Sequence, residues 1–382
     1  MLASFSVRRL LVLLSAVVAV DTMFYTALTP LLPHFAERYG LGKTGAGALS
    51  AMYAAGVLAA SVPGGLAASR FGPKRAVVVG VALTAAASLG FGLATSAWTL
   101  AVARLAQGIG SAFSWAGALA WLVAAAPAGR RGTLIGTMMG SAVFGALLGP
   151  ALGAGATVVG VRATFVAVSA AGLALCAFLA LEPGTPSRPQ RLSVLRRADA
   201  RLVGALWLVV LPALLFGVLT VLVPLKLHQL GWGGVAIGGL FFATAAIETA
   251  LNPLLGRLTD ARGRLLPVRA ALLGSIAVSL ALAWAGQALL VAALVIAAGI
   301  AYGSFFTPGM ALVSDSAERK GIAQGLAFGV MNLGWALGAV IGPAAGGALA
   351  QSAGDTFPYV LLAVICVGTL AYSQARFRPS SA

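Results

Sequence analysis

The chain has 382 residues, of which 60% are hydrophobic and only 9% charged, and its formal net charge is +16. A soluble domain is about a quarter charged, so this chain has too little polar surface to face water and reads as an integral membrane protein. Its Lys and Arg form no patch of the kind nucleic acid requires, and Cys176 and Cys366 lie inside apolar runs with no metal or redox spacing.

Arg8 and Arg9 open the first apolar run, which is longer than a signal-peptide core of about 7 to 15 residues and reads as a retained first helix. Runs of about 20 apolar residues suffice to cross a bilayer core of about 30 Å. Cutting at charged and Gly/Pro-rich breaks predicts helices over 10–33, 45–68, 76–96, 98–126, 133–157 and 163–181. Six more follow over 202–225, 234–255, 265–285, 288–315, 322–347 and 357–375. GKT at 42–44 is no phosphate loop, because Glu37 stands where its earlier glycine belongs. The polar segment EPGTPSRPQRLSVLRRADAR at 182–201 divides the chain into a first unit, 1–181, and a second, 202–382. Rich in Pro and Arg, it reads as a surface tether beside anionic headgroups.

Basic residues between spans set orientation. Twenty fall on one side of the predicted spans, and only Arg38, Lys43, Arg162 and Lys226 on the other. Both termini and the 182–201 segment are therefore expected in the cytoplasm, with the chain in the cell (inner) membrane.

The halves repeat. GALLGPALGA at 145–154 returns as GAVIGPAAGG at 338–347, and GLAASRFGPKR at 65–75 returns as GRLTDARGRLL at 256–266. AQGIG at 106–110 matches AAGIA at 297–301, and RRGTLIG at 130–136 matches RKGIAQG at 319–325. The expected fold is all-α: twelve transmembrane helices in two pseudo-symmetric six-helix bundles, as parallel repeats give. Gly145, Gly149 and Gly153 share one helix face, as do Gly338, Gly342 and Gly346, and small residues at this spacing drive close helix packing in lipid. Pro150 and Pro343 are expected to bend those faces.

Four phrases in order resemble the major facilitator superfamily, and within it the twelve-helix drug:proton antiporter branch. Asp21 followed by Pro30-Leu31-Leu32-Pro33 resembles the helix-one motif. GLAASRFGPKR and its copy resemble the helix 2–3 loop motif, G-x-L-a-D-r-x-G-r-k. LAVARLAQGIG at 100–110 resembles the helix-four motif, and GALLGPALGA the helix-five antiporter motif, with Ala154 in place of its last Gly. The resemblance implies that Ser69, Arg70, Gly72, Asp260, Arg262 and Gly263 form cytoplasmic gating loops. The first loop's usual aspartate is Ser69 here, whereas Asp260 is kept, which shifts a charge-based latch to the second half. Ser69 is left to bond a helix N-terminus. The resemblance also implies that the two Gly-Pro phrases bend and seal between moving halves.

Ionisable residues inside spans cost about 2.5 to 3.5 kcal/mol on insertion scales and mark functional sites by default. Asp21 sits near the midplane with Tyr25 and Thr29 on its face; it is a proton-coupling candidate or a buried structural acid. Arg104 shares a face with Gln107, Ser111 and Trp115. It cannot shed its charge and needs a carboxylate, carbonyls or water; the alternatives are an inward position beside helix one and snorkelling to the surface. Glu248, between Thr244 and Asn252, either takes part in coupling or cargo contact or pairs with an Arg. The cargo surface is expected from Tyr25, Trp115, Phe216, Tyr302, Phe306, Asn332 and Trp335, each of which also serves as ordinary packing. Few polar groups there favour an apolar or amphipathic cargo.

These readings converge on a secondary transporter that exports small apolar or amphipathic compounds in exchange for protons by alternating access. A proton-coupled importer or uniporter is the nearest rival, and a non-transporting membrane sensor a more distant one. No metal cluster or nucleophile–base pair suggests an enzyme. The expected partners are cargo, protons and lipid, with no cofactor, metal or nucleic acid and no second subunit.

Overall fold

A computed structural model describes residues 7–127, 130–185, 200–262, 265–319 and 324–376. Most of the 182–201 tether and Gly263 lie outside these residues. The first half builds α1 (Val7–Thr26), α2 (Leu28–Arg38), α3 (Lys43–Phe71), α4 (Pro73–Gly92), α5 (Ala97–Ala125), α6 (Arg131–Val159) and α7 (Val161–Leu181). The second builds α8 (Ala200–Gln229), α9 (Gly234–Arg262), α10 (Leu265–Trp284), α11 (Ala288–Gly303), α12 (Phe306–Arg319), α13 (Gln324–Ala353) and α14 (Thr356–Arg376). They form twelve segments long and apolar enough to cross a membrane. The predicted spans are recovered, with two internal breaks and mostly longer ends.

Both breaks have a proline cause. Pro30 has no N–H for the Thr26 carbonyl, and its ring crowds that turn, so the first span breaks at Ala27. Pro308 denies the Ser304 carbonyl in the same way, where the tenth span breaks over Ser304–Phe305. Elsewhere short joints end the helices. Gly72, at φ +97°, closes α3 and opens α4 with Pro73 in the first turn. Gly160, at φ +105°, turns α6 into α7. Side chains rarely adopt such angles, so glycine is the residue that fits. Ser96 and Thr99 cap α5 reciprocally, satisfying donors that a helix start leaves free.

The packing repeats as the sequence does. Within the first half α1 lies on α6, and within the second α8 lies on α13. Across the halves α3 meets α13 and α6 meets α9. The α2 segment packs on α6 of its own half and on α8 and α9 of the other.

The glycine phrases divide this labour differently from the expectation. Gly145, Gly149 and Gly153 press on the α1 backbone at Ala19, Met23 and Ala27, and Gly338 and Gly342 press on α8 at Val210 and Leu214. Gly346 meets Val218 of α8. Thr22 and Thr26 hydroxyls tie the first seam, donating to the Ala142 carbonyl at 2.8 Å and the Ala146 carbonyl at 3.1 Å. These stripes bind helices inside one half, because the close approach they permit is to α1 and α8. Contact between halves falls to the prolines and to the last residue of each phrase, Ala154 against Gly238 and Gly347 against Lys43. The Pro150 carbonyl abuts Gly238 of α9, and the Pro343 carbonyl abuts Gly47 of α3. Gly47 and Gly238 are repeat equivalents, 191 positions apart.

Candidate functional site

Asp21 is 4% exposed. Its Oδ2 accepts two hydrogen bonds from α5, from the Ser111 hydroxyl at 2.7 Å and the Trp115 indole N–H at 2.7 Å. The Tyr53 hydroxyl of α3 donates to the Asp21 backbone carbonyl at 3.3 Å. Its Oδ1 is buried with no hydrogen-bond partner among the described residues. One oxygen is therefore fixed by two donors, and the other is left to whatever reaches it.

Arg104 is 2% exposed and does not snorkel. Its Nη1 donates to the Phe24 carbonyl at 2.9 Å and to Gln107 Oε1 at 3.2 Å, and its Nη2 to the Tyr25 carbonyl at 3.2 Å. The guanidinium also lies 4.8 Å over the Tyr53 ring. Those carbonyls belong to the last turn of α1, where helical partners run out and a cation is favoured by the helix dipole. The buried charge thus pairs with a helix end, one turn from Asp21. Gln107 Nε2 donates to Ser88 Oγ at 3.0 Å, which ties the arginine to α4.

Glu248 stands apart, in the second half. Its carboxyl fills the space beside Gly303 of α11, where any side chain would collide with it. The neighbouring Thr244 hydroxyl turns back to the Leu240 carbonyl at 2.8 Å, and the Asn252 side chain lies outside the described residues. Arg104 of α5 is brought to the end of α1, one turn from Asp21; Glu248 does not join them.

The expected cargo residues separate into three groups. Tyr25 and Trp335 meet edge to face across the halves, with centroids 5.0 Å apart, and Tyr25 also touches Tyr53 at 5.3 Å. Phe216 stacks with Phe306 at 6.5 Å, and Asn332 is half-buried on α13. Two residues have further partners. Tyr302 is fully buried inside the second half, edge-on to Phe216 at 5.6 Å, with its hydroxyl 2.9 Å from Ser279 Oγ. Trp115 spends its indole N–H on Asp21.

In the gating loops, Ser69 donates to the Leu66 carbonyl of its own helix at 2.9 Å and caps no helix N-terminus. Arg70 extends over the Phe71 ring at 5.6 Å. The side chains of Asp260 and Arg262 lie outside the described residues.

Sequence reasoning missed the contacts that hold the basic-poor end closed. Lys43 of α3 pairs with Asp355, and the Thr44 N–H donates to Gln351 Oε1 at 2.9 Å. His228 Nε2 lies 2.7 Å from Glu37 Oε1, and its Nδ1 lies 3.2 Å from the Trp232 carbonyl. Both ring nitrogens face acceptors, which only the doubly protonated ring satisfies. Glu37 and His228 are 191 positions apart, the repeat offset itself. A residue near a twofold axis touches its own copy, so this signal was present in the sequence.

Exposed ion pairs contribute about 0.2 to 1 kcal/mol each. The double variant Lys43→Ala/His228→Ala will therefore move the closed-to-open ratio at this end about two- to thirty-fold. Spin labels at Leu41 and Ser352, in a background without Cys176 and Cys366, will read this as a growing long-distance population. An unchanged distance distribution would show that helix packing alone closes this end.

A family profile described as Major Facilitator Superfamily matches residues 14–338 and 250–380. The uncharacterized MFS-type transporter Rv1250 of Mycobacterium tuberculosis is 35% identical over 143 residues, 35% of this chain and 24% of that protein. The multidrug resistance protein MdtG of Citrobacter koseri is 31% identical over 192 residues, 47% of this chain and 44% of that protein. The matched stretches thus span less than half the length of either curated relative. A bacterial homolog of the human lysosomal transporter Spinster, solved inward-facing and unoccupied, superposes with a TM-score of 0.78 at 15% identity, covering 98% of this chain and 99% of that one. Its inward-facing occupied form gives 0.76 at 16% identity, with the same coverage. That likeness is one of fold.

Proposed function

Because the chain belongs to the major facilitator superfamily, whose members are transporters, we propose that it exports small apolar or amphipathic compounds in exchange for protons. The observation that carries this reading is Asp21: a carboxyl buried within the first span, with one oxygen held by two donors and the other without a partner. A structural acid would have both oxygens satisfied, since an unpaired buried polar atom costs about 1 to 3 kcal/mol. A carboxyl that gains and loses a proton keeps one oxygen available.

The basic-poor end faces outward in this reading, by the excess of Lys and Arg on the other side, and the termini are cytoplasmic. The closed outer end then leaves cargo to enter from the cytoplasmic side. Cargo is received near the contact of Tyr25 and Trp335, where the two halves meet. Protonation of Asp21 from outside accompanies cargo release, and loss of that proton inside resets the cycle. The multidrug relative and the helix-five phrase support the export direction.

The test is purified protein in liposomes containing a pH dye, under an imposed proton gradient, with a panel of lipophilic cations and neutral antibiotics. Proton movement that depends on added compound is the expected result. Counterflow of labelled compound without proton movement would replace antiport by uniport, and neither signal would reduce the protein to a non-transporting sensor.

A further inference from the structure

Behind Asp21, on the α4 and α7 side, lies a small cavity of about 20 Å³ lined by Asp21, Val81, Thr84, Ser114, Gly172 and Leu175 among others. It sits inside the first half, between α1, α4, α5 and α7, and no residue of the second half lines it. Two buried polar atoms of its lining residues have no partner among the described residues, Asp21 Oδ1 and Thr84 Oγ1. Both residues are more than nine-tenths buried, at 4% and 6% exposure. Thr84 keeps its hydroxyl free although the Ser88 hydroxyl, one turn on, donates to the Thr84 carbonyl at 2.7 Å. Gly110 of α5 leaves the space in which that hydroxyl stands.

We propose that this cavity is a binding site for one water molecule, which bridges Asp21 Oδ1 and Thr84 Oγ1 and forms the seat of the transported proton. A single water needs about 10 to 15 Å³ and two to four polar partners; the volume suffices, and Asp21, Thr84 and Ser114 are the polar residues of an otherwise apolar wall. The chemistry favours water over a cation. Oδ2 already accepts two donors, so a proton placed there would face them donor to donor. The proton therefore forms its O–H bond at Oδ1. A water there donates to the ionised carboxylate and accepts from the protonated one, serving both states, whereas a sodium ion would serve only the first. The site lies away from the contact between halves, so cargo and proton occupy opposite sides of the α1 helix. The assignment of the transported proton rests on the antiport reading; the water site does not.

Infrared difference spectra of the purified protein between acid and alkaline buffer will test it, in normal and ¹⁸O water. The carboxyl stretch absent from Asp21→Asn identifies this residue. In the wild type it will be accompanied by an O–H band that shifts in ¹⁸O water. Thr84→Val, equal in shape without the hydroxyl, will remove that O–H band and raise the carboxyl frequency; Thr84→Ser will restore both. Identical spectra in wild type and Thr84→Val, or no Asp21 band at all, would overturn the site. A carboxylate band that moves with added sodium at fixed pH would overturn it in favour of a cation. Should liposomes show no proton coupling while the bands behave as stated, antiport fails and the water site stands. Coupling with no Thr84-dependent band would have the reverse meaning.

Discussion

Asp21→Asn will leave the protein folded and reduce compound-dependent proton movement to that of protein-free liposomes. The amide is the same shape as the acid. Its oxygen takes the place of Oδ2 under Ser111 and Trp115, and its NH₂ turns toward the Thr84 side, so the bonds across α1 and α5 survive. What disappears is the group that gains and loses a proton. One proton moved through 100 mV supplies about 2.3 kcal/mol, enough to hold a cargo gradient of about 50-fold. In the variant the steady-state gradient of any exported compound should collapse to unity while counterflow persists. A variant that still concentrates cargo would transfer the role to Glu248, a carboxyl inside a span of the second half.

Gly47→Val, and separately Gly238→Val, will lower turnover at least ten-fold without unfolding the protein. A side chain at Gly47 runs into the Pro343 carbonyl and lies 3.2 Å from the Gly347 Cα, while one at Gly238 would stand 2.8 Å from the Pro150 carbonyl. These neighbours are backbone and cannot rotate away. Overpacking of this kind costs about 1 to 3 kcal/mol, and here the cost falls only on the state in which the halves meet. The closed end therefore opens about five- to 150-fold more often. Initial transport rates and the Leu41–Ser352 spin-label distance measure the two consequences together. Gly145→Val is the control: its clash is with the Ala19 carbonyl inside one half, so it lowers thermal stability in place of shifting the distance. Equal turnover in Gly47→Val and the wild type would remove the proline–glycine contact from the transport cycle.

The sequence made some of this legible and concealed the rest for a physical reason. Span count, repeat and the depth of Asp21 follow from hydropathy and spacing, which are properties of a single helix. Helical spacing also grouped Arg104, Gln107, Ser111 and Trp115 on one face. It could not say what that face meets. Trp115, a cargo candidate by its face, also gives its indole N–H to Asp21, and Arg104 found the carbonyls of a helix end that exists only because Pro30 breaks the first span. Thr84 and Ser88 passed unnoticed, since a hydroxyl in an apolar span can satisfy itself on its own backbone, and only a neighbouring helix makes it matter. Tyr302 is a similar case. Its position was read correctly as a face of the tenth span, but that face turns to Ser279. The glycine phrases were correctly read as seams, yet which helix each seam joins depended on Gly47 and Gly238, whose shared offset is visible only when the two halves are aligned.

The break at Ala27 makes the first span two mechanical parts on one axle. Arg104 clamps the final turn of α1 through the Phe24 and Tyr25 carbonyls, while α2 rests partly on α8 and α9 of the opposite half. In the proposed cycle α2 is pulled both by α6 of its own half and by α8 and α9 of the other, while α1 is held by its own. The torque concentrates at one joint, a turn and a half from Asp21. In that cycle, opening the outer end twists the base on which the carboxyl stands, and the first span is a crank between rocking and the proposed proton site.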